Sequence, residues 1–205
     1  MSVSLAGAAP VAAAVTHPRT HSSPSAGPTR LRVPDLLHAT DRAADAVLSG
    51  RCDHLLPEGG IPESQRWFTR IHGDEELDVW LISWVPGHPT ELHDHGGSLG
   101  ALTVVSGSLN EYRWDGRALR RRRLDAGDQA GFPLGWVHDV VWAPRPVTVP
   151  VTGLPGASAA PAQQPTLSVH AYSPPLSAMS YYDITDRNTL RRQRTELTDE
   201  PEGSS

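Results

Sequence analysis

Apolar residues recur along this chain first at helical spacing and then in short strand-like runs. Over residues 34–48, Leu36, Leu37, Thr40, Ala44, Val47 and Leu48 share one helical face, with Pro34 and Asp35 suited to the first turn and Gly50 to the end. The pattern predicts a helix there, packed on the outside of a barrel. Apolar runs then come at 67–72, 77–84, 102–105, 109–114, 137–142 and 166–172, separated by turn residues. No helical pattern interrupts them, so the spacing predicts an all-β barrel with an N-terminal helical segment. The run Leu77-Asp78-Val79-Trp80-Leu81-Ile82-Ser83-Trp84 reads as a buried strand closed by a turn at Pro86-Gly87. Arg120-Arg121-Arg122-Arg123 comes after a hairpin signal at Asp115-Gly116 and reads as a solvated strand.

Composition refines this picture without changing it. A length of 205 residues with Pro- and Ala-rich ends implies one domain, here taken as residues 31–185. Residues 1–30 are expected to be disordered, residues 144–165 to form a surface loop inserted between two strands, and residues 186–205 a polar tail, loose after a short ordered start. The Ala/Val patch near Val11 has no basic residue before it, since the first arginine is Arg19, so a secretory signal is not expected. A formal charge of -5 argues against a nucleic-acid partner despite the arginine run. Cys52 is the sole cysteine, which excludes an intramolecular disulfide and favours a cytoplasmic setting. No apolar run approaches the length of a membrane span. A monomer is expected.

The candidate chemistry is concentrated in three stretches. In His93-Asp94-His95, a strand would place both imidazoles on one face, because side chains repeat every two residues. Gly127-Asp128-Gln129-Ala130-Gly131-Phe132-Pro133-Leu134-Gly135-Trp136-Val137-His138 ends in a third histidine. With Gly87 and Gly107 around the first pair, and Gly127, Pro133 and Gly135 before His138, the two stretches resemble the paired motifs of the cupins, a jelly-roll type of β-barrel. Cupins commonly carry a carboxylate a few residues after the second histidine, and Gly100 stands there instead. The resemblance therefore implies a metal site of three neutral imidazoles, His93, His95 and His138, with no glutamate. Such a site leaves the charge of a divalent ion uncompensated, so an anionic substrate group can bind it directly.

In the third stretch, Ser168, His170 and Tyr172 alternate and share one strand face, as a hydrogen-bond relay or as a polar outer row. Arg70 closes Trp67-Phe68-Thr69-Arg70, and its residues alone read equally as a surface ion pair. Taken together, Phe68-Thr69-Arg70, Trp84-Val85-Pro86-Gly87-His88, the three histidines and Ser168-Val169-His170-Ala171-Tyr172-Ser173-Pro174-Pro175 resemble the thiol dioxygenases of the cysteine dioxygenase type I family. The resemblance implies Fe(II) on His93, His95 and His138, L-cysteine and O2 as partners, and cysteine sulfinic acid as product. It also implies that Arg70 clamps the substrate carboxylate beside Phe68, and that Tyr172 faces substrate with His170 and Ser168 behind it. Animal members form a thioether between the tyrosine and a cysteine near position 100, which Gly100 cannot do, so Tyr172 is expected unmodified. Where animal members have a tyrosine, Phe68 lacks the hydroxyl. Related 3-mercaptopropionate dioxygenases tend to carry glutamine where Arg70 stands, which favours cysteine. The alternatives are a 3-mercaptopropionate dioxygenase, a non-catalytic metal- or ligand-binding cupin, and a metal-dependent isomerase.

Overall fold

A computed structural model of the chain describes residues 29–144 and 164–202. The segment expected to be disordered and the inserted loop lie, apart from their edges, outside the described residues. The helix forms as α1 (Val33–Leu48), with the Asp35 carboxylate accepting the Arg32 N–H at 2.7 Å and a proline in its first turn.

The strands are β1 (Trp67–Gly73), β2 (Asp78–Trp84), β3 (His93–Asp94), β4 (Leu99–Ser106), β5 (Ser108–Trp114), β6 (Leu119–Asp125), β7 (Gln129–Phe132), β8 (His138–Trp142), β9 (Thr166–Ser173), β10 (Met179–Ile184) and β11 (Leu190–Glu196). They form two antiparallel sheets, ordered β1-β2-β9-β4-β7 and β11-β10-β3-β8-β5-β6. The pattern predicts an all-β barrel with an N-terminal helix, and the two sheets form the jelly roll that the cupin resemblance implies.

The first sheet is covered on both faces. Between the sheets, Trp80, Ile82 and Trp84 of β2 pack with Leu102, Val104, Leu109, Leu124, Val140 and Tyr172. On the outer face, Val79 and Leu81 join Leu99, Ala101, Val169 and Ala171 under Leu36, Ala43 and Ala44 of α1. Double coverage explains why β2 is buried at every position and reads as a continuous apolar run instead of an alternating one. The arginine run lies in β6, whose first four residues are exposed, as a solvated strand should be.

The loose tail is corrected by the structure. Residues 190–196 pair with β10 as an edge strand, and Glu202 beyond it is buried. Its polar run gave no apolar alternation to read, because β11 is exposed at most positions. Among the described residues, no helix is long and apolar enough to cross a membrane.

Candidate metal centre

The two-residue strand β3 positions the site. His93 pairs directly with His138 of β8 on one side and with Tyr181 of β10 on the other. Direct cross-strand partners share a face, so His93 and His138 project together, and His95 returns to that face two residues on. The three rings form a nearly equilateral triangle, with centroids 4.9 Å (His93–His138), 5.2 Å (His93–His95) and 5.2 Å (His95–His138) apart. One ring nitrogen from each lies within 4.8 Å of the others.

The unused nitrogens carry the argument. The Nε2 atoms of His93, His95 and His138 are all buried and have no hydrogen-bond partner among the described residues. Three orphaned acceptors aimed at one point would be costly unless a cation joined them. His93 Nδ1 lies 2.9 Å from the Glu91 carbonyl, which can only accept, so the proton sits on Nδ1 and the Nε2 lone pair is free. Glu91 reaches that position through a left-handed backbone (φ 66°). Burial, together with His138, pushes His93 down to about 4, and burial takes His95 well below its usual range. Both rings are therefore neutral, as metal ligands must be.

Glu111 supports the third histidine. It lies on the inward face of β5, in phase with core Leu109, and its side chain is fully buried. Its Oε1 lies 3.2 Å from His138 Nδ1 and accepts the Trp136 indole N–H at 3.0 Å, while Oε2 accepts from Arg122 Nε. Burial works to raise this carboxyl, but the hydrogen bonds from His138 and Trp136 and the Arg122 charge bring it down to about 2. Sequence reading missed Glu111, although an acid in phase with Leu109 on a strand was the available signal.

On the facing sheet, Ser168, His170 and Tyr172 are all fully buried on the inner face of β9. The Trp84 indole N–H donates to Ser168 Oγ at 2.7 Å, which leaves the Ser168 hydroxyl to donate to His170 Nε2 at 2.9 Å. His170 Nδ1 then faces the Tyr172 hydroxyl at 3.3 Å, and the Tyr172 ring stands 5.1 Å from that of His95. The Tyr172 hydroxyl donates to Glu202, whose other oxygen lies 2.8 Å from His170 Nδ1, at ion-pair distance but without hydrogen-bond geometry. Burial and the Glu202 charge push the phenol well above its ordinary 10. Tyr172 is therefore a proton donor throughout the neutral range.

Gly100 faces Tyr172 and Phe132 across its two neighbouring strands. A Cβ there would lie 2.9 Å from the Phe132 ring and 3.1 Å from His95 Nδ1, so the absence of a side chain makes room for these rings. Phe68 packs edge-on to Trp80 at 5.8 Å, on the core. Arg70 lies outside the histidine cluster's immediate contacts. Its guanidinium covers the Trp80 ring, sits 3.6 Å from Asp78, donates to the Asp199 carbonyl at 3.1 Å, and is 42% exposed. Nearer Tyr172 is an arginine that the sequence did not single out. Arg66 stacks on Trp84 at 3.9 Å and donates to the Glu202 carbonyl at 2.7 Å.

Over part of its length the chain is similar to one known family. The model of the family described as cysteine dioxygenase type I matches residues 62–133, which include His93 and His95 and stop short of His138. A curated relative, cysteine dioxygenase type 1 of Danio rerio, is 24% identical over 115 residues, covering 54% of this chain and 52% of that protein. The chain thus spans about half the length of the curated relative it matches. Among solved structures, an uncharacterized conserved protein with a double-stranded β-helix domain from Klebsiella pneumoniae is 19% identical over 60% of this chain and 85% of that one, with a TM-score of 0.42. A cupin superfamily protein from Desulfitobacterium hafniense is 10% identical over 55% and 81%, with a TM-score of 0.39.

Proposed function

From the chain's similarity to the cysteine dioxygenase type I family, we propose that it is an Fe(II)-dependent thiol dioxygenase, with L-cysteine as substrate and cysteine sulfinic acid as product. The observation that carries this reading is the convergence of three buried, unpartnered Nε2 atoms, a donor set that fits a divalent transition metal. In this reading His93, His95 and His138 hold the iron, and the iron supplies thiolate binding and oxygen activation, chemistry that no side chain offers by itself. The overall conversion balances without another reductant, because sulfur supplies the electrons that dioxygen gains and both oxygen atoms end on sulfur.

The chain's own residues then position and protonate. The Tyr172 hydroxyl, kept protonated by burial, donates a hydrogen bond toward substrate, and His170 fixes the phenol with Ser168 behind it. Trp84 anchors the far end of that row. Phe68 supplies an apolar wall. Arg70 clamps the α-carboxylate, for which its planar fork suits the geometry better than an ammonium would. For that role it must turn from Asp78 and Asp199 toward the substrate. That pairing favours one second reading, 3-mercaptopropionate as substrate, whose carboxylate would meet the unpartnered donors of Arg66 while Asp78 and Asp199 keep Arg70.

The test loads the full chain with Fe(II) without oxygen, then follows oxygen uptake with L-cysteine and with 3-mercaptopropionate. Uptake with cysteine, matched by sulfinate, is expected. An Arg70→Gln variant should lose roughly tenfold or more of its cysteine turnover, one charge-assisted bond, and keep any turnover of the other thiol. Equal loss on both would remove Arg70 from the clamp, and no uptake from iron-loaded protein would overturn the function.

A further inference from the structure

Glu202 lies far along the chain from every strand that builds the centre, yet its carboxylate is buried against Tyr172 and His170. The chain enters the site in two steps. The Asp199 carbonyl takes a donor of Arg70, and the Glu202 carbonyl takes one of Arg66. The Glu202 side chain then continues to the Tyr172 hydroxyl. Arg66 is left with Nε and Nη1 buried and without a hydrogen-bond partner among the described residues. A guanidinium 3.9 Å over the Trp84 ring, with unused donors beside a phenol that already binds a carboxylate, has the chemistry of a carboxylate receptor. Besides these side-chain contacts, the segment that covers it has the Thr198 amide donating to the Ser177 carbonyl at 3.3 Å and the Glu200 amide to its neighbour Thr198 Oγ1 at 3.0 Å, and it forms no strand ladder.

We propose that Glu202 is an internal occupant of the position a substrate carboxylate takes beside the three histidines, held between Arg66, Tyr172 and His170 until a thiol bearing a carboxylate displaces it. The proposal rests on the thiol dioxygenase reading for its substrate class. Glu202 leaves for water with the Asp199 carbonyl, which frees Arg70 for the clamp, and the incoming carboxylate meets Arg70, the Tyr172 hydroxyl and the free N–H groups of Arg66. The fraction of chains with the pocket vacated sets the apparent affinity, so a weaker occupant gives a tighter substrate. A thiol without a carboxylate gains nothing from this exchange.

The experiment uses the full chain loaded with Fe(II) under strict exclusion of oxygen. L-Cysteine and cysteamine, which lacks the carboxylate, are titrated by calorimetry, and amide exchange of residues 197–202 is followed at saturation. Cysteine should speed exchange in that segment and cysteamine should not. Glu202→Gln should tighten cysteine about tenfold with little change for cysteamine, and Arg66→Gln should weaken cysteine by a similar factor. Arg66→Lys keeps the stem on Trp84 and the charge but loses the fork; should Arg66→Gln fail to fold, it must still weaken cysteine relative to cysteamine. Unchanged exchange with cysteine bound, or cysteine binding no tighter in Glu202→Gln, would overturn the pocket. The two readings fail separately: a displaced segment without oxygen uptake keeps the pocket and removes the dioxygenase, and uptake with the segment undisturbed does the reverse.

Discussion

Two buried carboxylates flank the histidine cluster, and they are held in opposite ways. Glu111 belongs to the middle of β5, and its oxygens are engaged by His138, Trp136 and Arg122. Glu202 comes from beyond the last strand and meets the site through one phenol and one imidazole. The first is fixed by the sheet, and its fold-wide partners make it a support for a metal ligand. The second arrives on a segment tied to the first sheet by the side chains of Arg66 and Arg70 and not by a strand ladder, and it occupies space that a ligand could use. Burial alone does not separate the two roles. What separates them is how much of the fold must move for the carboxylate to leave.

The largest effect that could break this contrast is at Glu111. Glu111→Ala leaves the His138 Nδ1–H and the Trp136 indole N–H without an acceptor, and should cost about 1–3 kcal/mol of stability and roughly 10–100-fold in metal affinity. Glu202→Gln should change metal affinity far less. Urea melts and metal titrations of the two variants decide this, and equal losses would erase the distinction.

Acid should act next, and it should act on the metal-free chain. An unfolded His93 takes a proton near its ordinary 6.5, whereas the buried ring resists until about 4. The unfolded state therefore binds more protons in that window. Stability is complete above 6.5 and falls as the pH drops toward 4, by on the order of 3 kcal/mol. Glu111 extends the loss, since its depressed pKa gives stability that is complete above 4.5 and fades as the pH falls toward 2. Urea melts at stepped pH after chelation measure both, and a flat profile would mean that the rings are not buried as described. A smaller effect is expected at Gly100, where Gly100→Ala should cost about 1–3 kcal/mol by crowding Phe132 and His95, read by thermal melts.

Most of the barrel was legible because its core strands carry apolar runs of strand length between turns. Strands 67–73 and 78–84, the hairpin β5–β6 and the return at 166–173 emerge from that pattern. So does α1, whose apolar face meets the outer face of the first sheet. The apolar pattern was silent on the short β7 and on β10 and β11, the latter exposed and rich in arginine, and at β3, two residues long, only the histidine alternation suggested a strand. At the centre, alternation alone puts His93 with His95, and Ser168 with His170 and Tyr172. Glu111 was open to inference from its phase. Arg66 and Arg70 share that phase on one strand line, and local pattern does not say which of them turns toward Tyr172. Glu202 left no local signal, because its burial depends on where a distant segment folds back.

The central claim is that the three-histidine centre places both atoms of dioxygen on one sulfur. The most direct measurement supplies iron-loaded protein and L-cysteine with isotopically labelled dioxygen in ordinary water and weighs the product. The account predicts cysteine sulfinic acid carrying two labelled oxygens, with none formed when His138 is replaced by alanine. Label in only one oxygen, or an unlabelled product, would contradict it.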